Sequence, residues 1–304
     1  MKIVVVDRRS FLKAAVTVPF LARADVATGQ DSVSPVGLQL YTVRAELQKN
    51  FEGTLATVAA IGYREVELAF VEDLARSPQQ IGTALRSSGL AGVSSHVRFG
   101  ALGNRWPEAV DAARAIGQKF IVINSLDAAS RVQPDIWQRA SERLNRAGEM
   151  CRTAGLQLAY HNHLFEFASI QGTAKRPYDI LLESTDPSLV SMQMDLCWFI
   201  AAGQNPTTYF KRYPGRYSSV HVKDLKRLPV WTDQIRVTTV SSELSRDLAD
   251  VGQGVIDWPT TLAQCWSTGI RHYYVEHDNS EAPVDSIRRS FAYLRGMRFK
   301  TAAR

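Results

Sequence analysis

Cysteine is scarce in this chain: Cys151, Cys197 and Cys265 are the only three, odd in number and far apart. That excludes a disulfide framework or a cysteine-built zinc knot and leaves them as small buried apolar residues. No run of roughly 18 or more uninterrupted apolar residues occurs, as a membrane-spanning helix would require. No G-x-G-x-x-G follows the first strand-like run, and no glycine-rich phosphate cradle is visible. Charge of one sign is not in great excess, the formal net being +6. The first 24 residues hold Lys2, Arg8, Arg9, Lys13 and Arg23 against Asp7, and without them the net is +2. A basic nucleic-acid-binding patch is therefore not expected. Histidine numbers only six, yet two stand together in LAYHNHLFEF (158–167).

The N-terminal stretch DRRSFLKAAVTVPFLARA (7–24) combines positive charge, a short apolar core and a small-x-small end. Those are the three parts of an export signal, and the Arg8-Arg9 pair matches the twin-arginine type. The alternative is an amphipathic first helix of the fold. Residues 1–24 are thus expected to be a twin-arginine-type signal peptide and 25–35 a polar linker, placing the mature protein in the periplasm or outside the cell.

With 304 residues, 45% hydrophobic and 22% charged, the chain has ordinary globular composition and can bury one large core. From residue 36 short β-branched or aromatic runs alternate with amphipathic segments, many closing on glycine, as in TVAAIGYREVEL (57–68) and CRTAGLQLAY (151–160). Glycine just past a helix end accepts the left-handed backbone that other residues resist. Eight strands are expected, at 36–41, 64–69, 90–96, 120–125, 157–163, 190–195, 217–223 and 271–276. Strands alternating with helices imply a parallel sheet with right-handed crossovers. Eight such units over 36–304 fit an α/β fold of the (β/α)8 TIM barrel type; a doubly wound open sheet is the alternative. The segment 228–254 lacks the rhythm and is expected to be a lid or substrate wall on the catalytic face.

In a barrel the strand C-termini converge on one face. Each expected strand carries polar residues there: Gln39 and Tyr41, Glu67, His96, Asn124, His161 with His163 and Glu166, Asp195, His221 and Glu276. Eight polar strand ends are hard to attribute to packing, since buried charge is costly unless paired or metal-bound. Glu166, Asp195, His221 and Glu276 together offer three carboxylates and one imidazole, a set suited to Mn2+, Mg2+, Co2+ or Zn2+. Period-two alternation puts His161 and His163 on one side of the fifth strand and Tyr160 and Asn162 on the other. His163 is then placed as a general base, with an unperturbed pKa near neutrality. In the alternative, His161 or His163 ligates the metal and Glu166 binds substrate.

Seven segments in order, GLQLYTVR (37–44), GYREVEL (62–68), AYHNHLFEF (159–167), MDLCWFIAAGQNP (194–206), GRYSSVHVKD (215–224), GQGVIDW (252–258) and VEHD (275–278), resemble one family. It is the sugar phosphate isomerase/epimerase group of xylose isomerase-like TIM barrels. The resemblance implies a metal on Glu166, Asp195, His221 and Glu276, and acid–base work by His163, Glu166 and Glu276. In many relatives the fifth strand supplies the first glutamate, whereas here it carries histidines. The resemblance extends to an exported branch acting on glycosides oxidised to a 3-ketone. Gln39, Glu67, His96 and His161, as polar strand ends, are expected to meet substrate; the resemblance further implies that Lys223 and Asp224 bind hydroxyls and that Trp198 stacks on a sugar ring.

The expected reaction is proton abstraction beside a carbonyl through an enediolate, giving isomerisation or epimerisation of a small-molecule sugar or glycoside. A 3-keto-glycoside lyase or hydrolase shares that first step. A non-enzymatic periplasmic sugar-binding protein and an endonuclease are the competing classes. A homodimer is compatible with this reading; nucleic acid is not an expected partner.

Overall fold

The computed structural model describes residues 32–33, 35–131, 133, 135–170, 175–229 and 244–299. The proposed signal and most of the linker lie outside them, as does 230–243 of the expected lid.

Eight parallel strands close into a barrel: β1 (Gly37–Gln39), β2 (Glu65–Phe70), β3 (Ala91–Val97), β4 (Phe120–Ile123), β5 (Gln157–His161), β6 (Val190–Asp195), β7 (Tyr217–Val222) and, after a small excursion, β10 (His272–Val275). β1 pairs with both β2 and β10, which removes every edge. The excursion is an antiparallel pair, β8 (Asp224–Leu225) and β9 (Leu248–Ala249), at the base of the expected lid.

Local chemistry sets the boundaries. The helix Pro78–Ser87 opens with proline in its first turn and a reciprocal capping box between Ser77 and Gln80. Trp106–Ile116 ends where Gly117 adopts φ +91°, a left-handed conformation open to glycine. Around the barrel, apolar helix faces such as Trp137, Leu144 and Cys151 of Ile136–Thr153 pack onto the sheet.

The upper barrel interior is polar rather than filled by branched aliphatics. Gln39, Glu67, Gln193, Asp195 and His221 are fully buried there, beside Ser94 and His161. Burying such groups is tolerable only when they are hydrogen-bonded to one another.

Candidate metal centre at the barrel mouth

Register brings the strand ends together. Asp195 on β6 lies opposite His221 on β7, and His221 opposite Tyr274 on β10. The Glu276 N–H continues the ladder to the Val222 carbonyl, carrying its side chain to the same level. Ligand atoms of Asp195, His221 and Glu276 accordingly lie within 4.8 Å of one another. His96, His161 and His221 form a second group within the same reach, sharing His221.

Each member is oriented. Asp195 caps the helix Leu196–Ala201: its Oδ1 accepts from the Trp198 N–H at 3.0 Å. Its Oδ2 faces inward and makes no hydrogen bond, although Lys223 Nζ lies at 3.1 Å and His161 Nε2 at 3.7 Å. His221 is gripped on both sides, Nε2 by Glu67 at 2.6 Å and Nδ1 by Glu276 at 2.7 Å. Lys223, buried, also reaches Glu276 at 2.8 Å and Asp278 at 3.0 Å.

The electrostatics follow. Burial pushes Lys223 down, but Asp195, Asp278 and Glu276 outweigh it and hold the ammonium well above its ordinary value. Burial pushes Glu276 up, and Lys223 and His221 reverse this and hold it well below the carboxylate range. His221 is lowered by burial but pushed up to about 10 by Glu276 and Glu67. Asp195 is raised by burial in spite of Lys223. Four carboxylates, Glu67, Asp195, Glu276 and Asp278, thus stand against two cations, the Lys223 ammonium and the His221 imidazolium, a deficit of positive charge that a dication would offset.

A cavity of about 250 Å3 opens above this group. His96, His161, His163, Lys223 and Glu276 line it on the chemical side. Tyr41 and Phe70 supply aromatic faces, and Asn124, Asp278, Asn279 and Ser245 of the lid base supply polar edges. His163 Nδ1 is buried without a hydrogen-bond partner, and burial, with Lys223 and Arg131, holds this imidazole well below its usual pKa.

Several expected site residues are placed elsewhere. Glu166 is not brought to Asp195, His221 and Glu276: it sits in the 3-10 turn Phe165–Phe167 and accepts from Tyr160 Oη at 2.9 Å and the His163 N–H at 2.8 Å. His161 Nε2, 3.7 Å from Asp195 Oδ2, stands where Glu166 was expected. Trp198 is fully buried beneath Lys223, whose Nζ lies 5.6 Å from its ring, so it has no face to offer a sugar. Asp224 is fully buried and anchors the lid base, accepting from the N–H groups of Leu225 and Gly252 and from Trp258 Nε1, each at 2.9 Å. A Cβ on Gly254 would meet Asp224 Oδ1 at 2.1 Å, which is why GQG threads there. Gln39 and Glu67 are buried below the cavity, not on its wall. Phe70, Asp278 and Asn279 join the cavity without having been expected there, whereas Ser245 lies in the 228–254 segment expected to form a substrate wall. An aromatic residue closing β2 was a readable signal for Phe70, and VEHD contained Asp278.

The profile of the xylose isomerase-like TIM barrel family matches residues 55–297. An inosose dehydratase of Lacticaseibacillus casei is 31% identical over 130 residues, 38% of this chain, and the match spans 42% of that relative's length. Among solved structures, a sugar phosphate isomerase/epimerase from Parabacteroides distasonis superposes with TM-score 0.72 at 23% identity, covering 90% of this chain and 98% of that one. The 3-keto-D-glucoside 4-epimerase from E. coli gives TM-score 0.64 at 15% identity, covering 86% and 99%. At such identities these structures share the fold. With the profile covering most of its length, the chain belongs to the xylose isomerase-like TIM barrel family.

Proposed function

We propose that this protein is a metal-dependent enzyme that abstracts a proton beside the carbonyl of a sugar or glycoside and returns it, as an isomerase or epimerase. The observation that carries this reading is one arrangement. Asp195 Oδ2, without a hydrogen bond, converges with His161, His221 and Glu276, while His163, whose Nδ1 is buried without a partner, lines the same cavity. Two imidazoles and two carboxylates suit Mn2+, Co2+ or Zn2+ better than Mg2+. Bound there, the cation supplies Lewis-acid polarisation of a carbonyl and a neighbouring hydroxyl oxygen.

The chain's own groups do the rest. His163, kept neutral, accepts the proton. Lys223 presents a fixed ammonium to developing negative charge on substrate oxygen. Asn124, Asp278 and Asn279 offer hydrogen bonds to hydroxyls, and Tyr41 and Phe70 flank a ring. The arrangement includes the base that a purely sugar-binding protein has no use for.

A second reading is elimination from a 3-keto-glycoside. The partial relatives are inosose dehydratases, whose name denotes loss of water rather than proton return. Export of folded chains by the twin-arginine-type signal is part of the proposal and favours an unphosphorylated substrate.

The test is NMR in D2O with plain and 3-keto disaccharides and added Mn2+, Co2+ or Zn2+. Deuterium entering the carbon beside the carbonyl supports proton abstraction, and the products separate isomerisation from elimination. Absence of both deuterium uptake and product with every one of these metals refutes the reading.

A further inference from the structure

Glu67 lies beneath the site, fully buried, and its oxygens receive five donors. Oε1 accepts from Gln39 Nε2 at 2.8 Å and faces His221 Nε2 at 2.6 Å and His96 Nε2 at 3.0 Å. Oε2 accepts from Ser94 Oγ at 2.6 Å and Gln193 Nε2 at 2.7 Å. Gln39 Oε1 is already occupied by the Tyr41 N–H, so its NH2 must face Glu67, and five donors around two oxygens leave no acceptor for a carboxyl proton: Glu67 is held as the carboxylate.

An ionised carboxylate accepts and cannot donate. Every atom facing Glu67 therefore carries a hydrogen, which settles the arrangement outward. The Gln193 amide must turn its NH2 to Glu67, so its Oε1 is the atom 2.9 Å from His161 Nδ1. That oxygen can only accept, so His161 is protonated at Nδ1 and its Nε2, facing Asp195 Oδ2 at 3.7 Å, keeps its lone pair. His221 stands between two carboxylates, Glu67 at Nε2 and Glu276 at Nδ1, and carries a hydrogen on each nitrogen in the metal-free protein, so Glu67 fixes its ring but selects no tautomer there.

We propose that Glu67 is a positioning residue: from outside the cavity, through the Gln193 amide, it sets the tautomer of His161, so that Nε2 turns its lone pair toward Asp195. This rests on the metal reading above only for what that lone pair holds. Partners of ligating histidines fix ring orientation and tautomer, and losing one typically lowers metal affinity about 10- to 100-fold. With Glu67→Gln the constraint vanishes. Gln193 is free to turn its NH2 to His161 Nδ1, and the ring proton moves to Nε2, where it hydrogen-bonds Asp195 instead of leaving room for a cation.

The test is long-range 1H–15N correlation on histidine-labelled protein, assigned with His161→Gln, together with Zn2+ titration by calorimetry. Metal-free wild type should show His161 as the Nδ1–H tautomer. Glu67→Gln should show Nε2–H or a mixture and bind Zn2+ about 10- to 100-fold more weakly. Ser94→Ala removes a donor from the same carboxylate without removing its charge and should leave the tautomer unchanged. His161 found as Nε2–H in wild type overturns the proposal, and that measurement needs no variant to fold. Equal Zn2+ affinity in folded Glu67→Gln also overturns it. A wild type that binds no Zn2+ while keeping His161 as Nδ1–H refutes the metal reading and leaves the tautomer assignment standing.

Discussion

Glu166 makes the sharpest stability prediction because its pKa and its surroundings are both defined. Burial pushes the carboxyl from 4.5 up to about 7, against the opposing His163 N–H, Arg131 and Tyr160. A folded-state pKa above the unfolded one means that the folded protein holds this proton more tightly. The contribution is fully present below pH 4.5 and is lost as pH rises through about 7. At about 1.36 kcal/mol per unit, the loss amounts to roughly 3 kcal/mol by pH 8.5. Glu166→Gln cannot ionise and escapes that loss. Its amide can serve only one of the two donors, so the variant starts about 1–2 kcal/mol less stable at low pH. Urea unfolding of both proteins at pH 4.5 and 8.5 isolates the effect, because every other group titrates in both. The variant should gain roughly 3 kcal/mol on wild type between the two pH values. A difference that does not change with pH would mean that the carboxyl is ionised throughout, and the burial argument fails.

His163→Ala should keep its metal and lose about 10^2- to 10^4-fold in kcat, as for removal of a general base; elemental analysis beside steady-state rates checks both halves. Asp224→Ala strands the Trp258 indole and the Leu225 and Gly252 amides, and should cost at least about 3 kcal/mol, read as a lower urea midpoint and faster proteolysis near the β8–β9 pair. Phe70→Ala should raise KM for a sugar substrate, whereas Trp198→Phe, altering a ring outside the cavity wall, should leave KM within about twofold after any loss of stability is allowed for.

The barrel was legible because its punctuation is local. Glycines closing helices and β-branched runs located all eight strands, and β6 spans Val190–Asp195 as the sequence predicts. The β8–β9 pair was not legible, since two-residue strands carry no periodicity. Alternation on β5 placed His161 and His163 toward the cavity, while Tyr160 turns outward to Glu166. Spacing failed where the chain leaves the strand. The 3-10 turn Phe165–Phe167 folds Glu166 back behind β5, and the helix capped by Asp195 carries Trp198 into the core. Glu67 shows a different limit. Its strand-end position resembles a site residue, but register pairs it with Gln39 and Ser94, below the wall of the cavity. The inward polar residues Gln39, Ser94 and Gln193, taken together, were the signal that it belongs to a supporting network.

The central claim is that Asp195, His161, His221 and Glu276 hold one divalent cation. Calorimetric titration of Mn2+ or Zn2+ into wild type and Asp195→Ala tests it most directly. One equivalent should bind wild type, and the variant should bind about 100-fold more weakly or not at all, the order expected on losing a charged ligand worth several kcal/mol. Wild type that takes up no metal, or a folded variant that binds as tightly as wild type, would contradict the account.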